Sequence, residues 1–191
     1  MKKISDRFIL GVICGLGGNL SKRMVENCFK KIGFTSYSGK NTAAGIFLKK
    51  SQISTPYGKV IGEIADQMIA AGLGVSCVYW FSLMGKDHYL IKGGGLGAAE
   101  WASLYGVTSR LGATSIFPVP PKDALATFLS HVAYGTTKAF LAVKLGDERL
   151  FDPNAPFPNS LRGNDRLCPP VASSIAHQRN QTAHDPGKRQ T

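Results

Sequence analysis

Residues 70–85 read A-A-G-L-G-V-S-C-V-Y-W-F-S-L-M-G, and this stretch decides the fold class because it has no charged face. It belongs to a run of 19 residues without a formal charge, 67–85, which is long enough for a helix to cross a bilayer. A soluble amphipathic helix would carry Lys, Glu or Gln along about half of its surface. Tyr79, Trp80 and Phe81 lie near the end of the stretch, as interfacial aromatic residues do in spanning helices.

Outward from this stretch, the chain holds three more apolar segments that are rich in glycine or alanine. In water so much glycine would weaken a helix by about 1 kcal/mol per residue relative to alanine, whereas in lipid small residues let helices approach closely. Gly11 and Gly15 form one small-xxx-small pair. In the second helix we expect the same role for Gly62, Ala65, Ala70, Gly72 and Gly74. The sequence therefore predicts an all-α polytopic membrane bundle in residues 1–150, with four transmembrane helices at about 8–28, 60–84, 93–117 and 123–145.

Two segments lie outside these helices. Residues 29–58 form a basic connector with scattered apolar side chains, and we expect it to lie along the membrane surface. Residues 151–191 hold six of the ten prolines among Asn, Gln, Ser and Arg. This composition predicts a disordered basic C-terminal tail.

Net charge and cysteine content exclude several classes of protein. The 191 residues carry 23 Lys and Arg against 12 Asp and Glu, a formal net charge of +11, which favours anionic lipids or nucleic acid as partners. The basic residues fall mostly in loops and tails with few interleaved aromatic residues, so no nucleic-acid partner is expected. The four cysteines form no C-x-x-C pair, which indicates neither a metal site nor a disulfide scaffold. No cofactor is predicted.

The candidate site residues are ionisable or polar side chains inside the apolar segments. Each isolated charge near the centre of a bilayer costs at least about 2.5 to 3.5 kcal/mol, so each needs a partner or a function. Folding consecutive helices into antiparallel hairpins predicts two ion pairs, Asp66 with Arg110 and Glu100 with Lys138. The full candidate set is Glu63, Asp66, Glu100, Arg110, His131, Tyr134 and Lys138.

The fourth helix concentrates polar groups on one face. His131, Tyr134, Gly135 and Lys138 fall at i, i+3, i+4 and i+7, so we expect this face to point inward. Two interpretations of the buried charges remain open. They fix helix register only, or they line a polar path for a proton, ion or small solute, with His131 as the titrating member.

Four segments of the chain resemble a group of conserved membrane proteins of Firmicutes that have no assigned activity. They are the glycine-rich G-V-I-C-G-L-G-G-N-L-S-K at 11–22, T-P-Y-G-K-V-I-G-E-I-A-D at 55–66, M-G-K-D-H-Y-L-I-K-G-G-G-L-G at 84–97 and H-V-A-Y-G at 131–135. The resemblance covers roughly residues 7–146. It implies a four-helix membrane protein and no particular cofactor or partner.

A weaker resemblance points to short-chain dehydrogenases. Gly11, Gly15 and Gly17 match the G-x-x-x-G-x-G phosphate turn, and Tyr134 with Lys138 matches the Y-x-x-x-K catalytic pair. The family's serine, expected thirteen residues before the tyrosine, is replaced by Pro121, and alternating strand and helix patterns are missing. An oxidoreductase therefore remains a remote alternative, and we predict no enzyme and no catalytic residues.

Two functional classes fit a multi-pass protein of the cell membrane. The first is a small transporter, channel subunit or permeation accessory that uses the buried charged face, and the second is a non-catalytic scaffold or assembly protein. Partners are the lipid bilayer and either a second copy of the chain or another membrane protein. Four helices place both termini on one side, and the counts of Lys and Arg favour the cytoplasmic side by a small margin.

Overall fold

A computed structural model describes residues 3–36, 38–115 and 119–152 of the chain. The predicted disordered tail lies outside the described residues from position 153 onward. Within the described part the fold is all-helical, since its one isolated β-bridge joins Ile4 to Gly146 and no strand is formed.

Five helices make up the described part of the chain. The helices are α1 (Arg7–Lys31), α2 (Gly39–Phe47), α3 (Pro56–Met84), α4 (Tyr89–Trp101) and α5 (Pro121–Leu145). Helix α4 continues as a π-helical segment, Ala102–Val107, and one α-helical turn, Thr108–Arg110. A 3₁₀ turn, Glu148–Phe151, follows α5. The four long helices correspond to the four predicted ones, whereas α2 lies in the segment that we predicted as a basic connector.

Local sequence explains where the long helices begin and end. The Asp6 carboxylate accepts a hydrogen bond of 2.7 Å from the Ile9 amide, and the Thr55 hydroxyl accepts one of 3.1 Å from the Gly58 amide. Both side chains are N-caps, which satisfy amides that have no partner inside the helix. Gly85 ends α3 at a φ of 71°, a conformation that side-chain-bearing residues rarely adopt.

The long helices pack antiparallel, in the spatial order α3, α1, α5, α4. Arg7 on α1 donates to Ser82 near the end of α3, and Asn19 further along α1 donates to Asp66. Trp101 of α4 donates to Thr127 near the start of α5. Helices α3 and α4 follow one another in the sequence but share little contact, because α3 packs on α1 and α4 packs on α5.

Glycines allow the two close helix crossings. A methyl group added at Gly74 of α3 would lie 2.2 Å from the Gly11 carbonyl oxygen of α1, and one added at Gly97 of α4 would lie 2.1 Å from the His131 carbonyl oxygen of α5. The expected contact role of Gly11 and Gly15 is therefore confirmed, since Gly74 also meets Gly15. The same expectation for Gly72 is wrong: Gly72 is exposed, and an added methyl group would touch nothing within 4 Å.

The apolar core lies at the end of the bundle that holds the N-terminus. Leu10, Val78 and Phe81 are fully buried there. Leu150 and Phe151 of the 3₁₀ turn join them, each 4% exposed. The packed unit thus includes Phe151, which we had assigned to the tail.

Large apolar side chains cover much of the outer surface of all four long helices. Along α3, every exposed residue from position 60 to 84 is uncharged, whereas Asp66 of the same helix is buried. Two of the described helices, Arg7–Lys31 and Pro56–Met84, are long and apolar enough to cross a membrane, a test of length and composition that core helices of soluble proteins also pass. Spanning by α4 and α5 stays a prediction.

Candidate functional site

The predicted pairing of Glu100 with Lys138 is confirmed. The Lys138 ammonium, which is fully buried, contacts the Glu100 carboxylate across the interface of α4 and α5. The same ammonium lies 4.4 Å from the centre of the Tyr134 ring and 3.4 Å from the Leu73 carbonyl oxygen. Lys138 therefore links three helices through one charged group.

The predicted pairing of Asp66 with Arg110 is wrong. Asp66 is bound instead by α1: the Lys22 ammonium lies 2.5 Å from one carboxylate oxygen, and the Asn19 amide donates to the other at 2.9 Å. Arg23 Nε lies 3.9 Å from that second oxygen. Arg110 is exposed at the end of the helical segment that follows α4. The hairpin assumption failed because α3 packs against α1 and not against the next helix in the sequence.

Glu63 is more exposed than Asp66 and is connected to the same group of charged side chains through Arg23. Its carboxylate contacts Arg23 of α1 and Lys40 of α2, and it accepts a hydrogen bond of 3.3 Å from Gln67. Two basic groups from different helices therefore converge on one carboxylate. Burial lowers the pKa of Lys40, and the nearby Arg23 charge lowers this pKa further.

Glu26 ties α1 to the start of α2. It is 4% exposed, and one of its carboxylate oxygens accepts a hydrogen bond of 3.3 Å from the Gly39 amide and one of 3.4 Å from the Ser38 hydroxyl. A carboxylate at a helix N-terminus satisfies free amides and is stabilised by the helix dipole. Glu26 thus connects α1 to the start of α2, a helix that packs mainly on α3.

The α1 side chains of this network were missing from the predicted site. Asn19, Lys22 and Glu26 continue the face of Gly11 and Gly15 at spacings of three and four residues. This continued helical period was the signal that would have found them.

The inward face predicted on the helix now designated α5 is confirmed. His131, Tyr134 and Lys138 are at most 4% exposed, and Gly135 is buried. His131 Nδ1 lies 2.8 Å from the Thr127 carbonyl oxygen, which suits a neutral ring that donates through Nδ1. The Tyr134 hydroxyl donates to the Ala70 carbonyl oxygen of α3 at 2.7 Å.

A cavity of about 40 Å³ lies between α3 and the π-helical continuation of α4. This volume suffices for roughly two ordered waters. The π-helical segment contributes Leu104 and Tyr105 to the lining. Such segments are rare in proteins, and those that occur are often found at functional sites. The polar part of the lining includes Lys22, Asp66, Tyr105, His131 and Tyr134.

Three buried oxygens have no hydrogen-bond partner among the described residues. They are Asn19 Oδ1, Glu26 Oε1 and Glu100 Oε2. A buried acceptor without a partner costs about 1 to 3 kcal/mol, so each of these positions favours a water or another donor. Asn19 also contacts Asp66, Glu100 is paired with Lys138, and Glu26 contacts the start of α2.

The geometry also bears on metal and nucleotide sites. The described residues contain no group of three or more His, Cys, Asp and Glu that could hold a metal ion. Gly11, Gly15 and Gly17 lie inside α1 and do not form a turn between a strand and a helix. The Tyr134 hydroxyl is held by a backbone carbonyl and Lys138 by a carboxylate, so neither is presented at an open cleft.

Comparison of the chain with protein-family models, with curated proteins and with solved structures finds no match in any of the three. The resemblance to the membrane proteins of Firmicutes stays a prediction.

Proposed function

We propose that this chain is an integral membrane protein with four spanning helices, whose polar interior serves the permeation of a proton, an ion or a small polar solute. It would act as a small transporter, a channel subunit or a permeation accessory. The observation that carries this proposal is an inverted distribution of residues. Lys22, Asp66, His131 and Lys138 are buried, whereas Leu, Ile, Met and aromatic side chains are exposed on all four long helices.

Both the exposed apolar side chains and the buried charged ones support a membrane location on energetic grounds. Contiguous exposed apolar surface is unfavourable in water and typical of lipid or partner contact. Met68, Trp80 and Leu83 on α3 are each at least 44% exposed. In lipid, exposed charges would be costly. Lys22 is paired with Asp66 and Lys138 with Glu100 inside the bundle, whereas Arg110 is exposed at the end of its helical segment.

The argument for permeation rests on the polar row of α5. From His131 beside the cavity, the row continues through Tyr134 to Lys138 and its partner Glu100. His131 and Lys138 are seven residues apart on a helix, which corresponds to about 10 Å along its axis. Ionisable groups in such a row inside spanning helices are typical of proton and ion paths.

A scaffold or assembly role is the second candidate, and a specific observation favours it. Two lysine–carboxylate pairs lie inside the bundle, Lys22 with Asp66 and Lys138 with Glu100. Matched pairs can specify helix register without any transport. The two hypotheses therefore differ in what neutralising a pair should do.

Cysteine labelling from each side of the membrane tests the number of spans. Ser51→Cys, Asp87→Cys and Ala113→Cys alter exposed loop or turn positions, in a background with Cys28→Ser and Cys168→Ser. With four spanning helices, positions 51 and 113 label from the same side and position 87 from the other. If only α1 and α3 span, position 113 labels together with position 87. Release of the protein by an alkaline carbonate wash contradicts any spanning arrangement.

Flux into vesicles tests permeation. The protein is reconstituted in phosphatidylcholine vesicles that contain a pH-sensitive dye or a potassium reporter, and empty vesicles set the background. Glu100→Gln should abolish a flux while the helix content survives, whereas Glu148→Gln, an exposed control outside the long helices, should leave it unchanged. Flux equal to that of empty vesicles contradicts the permeation hypothesis. If Glu100→Gln lowers only stability, the scaffold hypothesis is favoured.

A further inference from the structure

A second cavity, distinct from the interior one, opens between the end of α1, the start of α2 and the start of α3. Its volume is about 530 Å³. This is within the range of sites for small molecules. Four basic side chains line it, Arg23, Lys30, Lys40 and Lys59, together with the two acids Glu26 and Glu63. We refer to it as the basic cleft.

Both acids of the basic cleft have partners, although one oxygen of Glu26 has none among the described residues. Glu63 contacts Arg23 and Lys40, and Glu26 accepts hydrogen bonds from the start of α2. Among the described residues no carboxylate pairs with Lys30 or Lys59. The cleft therefore holds four basic groups against two acids, and Lys30 on α1 and Lys59 on α3 are the two that form no ion pair among the described residues.

The cleft is continuous with an apolar track on α1. Leu20 and Met24 line its edge and are each 62% exposed. Leu16 and Ile13, each 41% exposed, continue the same face at spacings of four and three residues. From residue 13 to residue 24 the track runs about 17 Å along the helix, away from the charged end. A positive cleft joined to an exposed apolar track fits a ligand with an anionic head and a hydrocarbon chain.

We propose that the basic cleft binds the phosphate-bearing headgroup of an anionic phospholipid. Lys30 and Lys59 hold the phosphate, and an acyl chain lies along Ile13, Leu16, Leu20 and Met24. The site rests on the proposed membrane function, because the ends of spanning helices lie at the level of lipid headgroups. Free phosphate shares the charge chemistry but makes no use of the apolar track.

Lipid retention by the purified full-length protein tests this site. The protein is titrated in mild detergent with dispersed phosphatidylglycerol, phosphatidylcholine or inorganic phosphate, and bound lipid is counted by native mass spectrometry. We expect phosphatidylglycerol to be retained in preference to phosphatidylcholine, and an equal concentration of phosphate not to displace it. Lys30→Gln with Lys59→Gln should weaken phosphatidylglycerol binding about 30-fold, at about 1 kcal/mol per lysine near anionic lipid.

A matched control removes the same charge elsewhere. Lys49→Gln with Lys50→Gln changes two exposed lysines between α2 and α3 that do not line the cleft, and retention should stay within about threefold of the unmodified protein. Equal losses in both double variants, equal binding of the two lipids, or displacement by phosphate would each overturn the site. The same preparation is checked by carbonate washing: a washed-out protein defeats the membrane proposal too, whereas a retained protein without lipid preference defeats only this site.

Discussion

Two antiparallel helix pairs, α1 with α3 and α4 with α5, are built from the same parts. Each has a crossing at which glycine backbones touch, around Gly74 in the first pair and Gly97 in the second. Each also has one buried lysine–carboxylate pair, Lys22 with Asp66 and Lys138 with Glu100. The pairs differ in what surrounds those charges.

In the α1/α3 pair the acid has several donors, whereas in the α4/α5 pair it has one. Asp66 is bound by Lys22 and Asn19 and lies within 3.9 Å of Arg23. Glu100 contacts Lys138, and its second oxygen has no partner among the described residues. The difference teaches that equal burial does not imply equal dependence on one partner. A charge with several donors should tolerate the loss of one.

The largest effect is expected from Lys138→Met, which leaves Glu100 buried without its counter-charge. We expect a loss of about 3 to 5 kcal/mol in the free energy of unfolding. The measurement is SDS-induced unfolding in mixed micelles, followed by circular dichroism. Lys144→Met, at an exposed lysine of the same helix, is the control. Adding Glu100→Gln to Lys138→Met should recover most of the loss, and no recovery would contradict an isolated pair.

The second-largest loss of stability is expected at the two glycine crossings, and it should be similar in the two helix pairs. Gly74→Ala and Gly97→Ala each place a methyl group against the backbone of the partner helix. We expect each to cost about 1 to 3 kcal/mol, because backbone must move to make room. Gly72→Ala and Gly95→Ala, which point into open space on the same helices, should instead stabilise by about 0.5 to 1 kcal/mol. The same unfolding assay compares the four variants. If the two variants of one helix change the free energy of unfolding in the same direction, the close crossing of that helix is contradicted.

A smaller effect is expected from Lys22→Met, which removes one of the donors around Asp66. Asn19 and Arg23 remain beside Asp66, so we expect a loss of about 1 to 2 kcal/mol, less than half of that for Lys138→Met. Adding Asn19→Leu should raise the loss by more than the single Asn19→Leu change does, because the two donors substitute for each other. Additive losses would show that the donors act independently.

The smallest effect is expected at an exposed ion pair outside both helix pairs. Lys86 lies 2.9 Å from Glu148, and its hydrogen bond and charge lower the pKa of that carboxyl. A lowered folded-state pKa stabilises above the ordinary pKa of Glu, and the stabilisation is lost as the pH falls through the folded value. The melting temperatures of the unmodified protein and Glu148→Gln should therefore differ slightly at pH 7 and converge at acidic pH. If Glu148→Gln destabilised the protein as much as Lys138→Met does, the expectation that burial makes an ion pair important for stability would be contradicted.

Much of the site was predictable where helices that follow one another also pack together. Glu100 and Lys138 could be paired because α4 and α5 form an antiparallel neighbour pair. The same reasoning misassigned Asp66, because the next helix after α3 is not its packing partner. The interior cavity combines residues of α1, α2, α3 and α5 with residues of the segment that continues α4, and no local pattern indicates which helices meet there.

The sequence by itself determined the four long helices and their approximate bounds, the inward face of α5 and the small residues Gly11 and Gly15. These features depend on helical periodicity and on local signals such as caps, which act over a few residues. Only the tertiary structure decided that α1 lies between α3 and α5, that Lys22 meets Asp66, that Glu26 accepts hydrogen bonds from the start of α2 and that Gly72 faces outward. Spatial order depends on which surfaces fit together across the whole bundle, and side-chain packing of distant segments sets that fit.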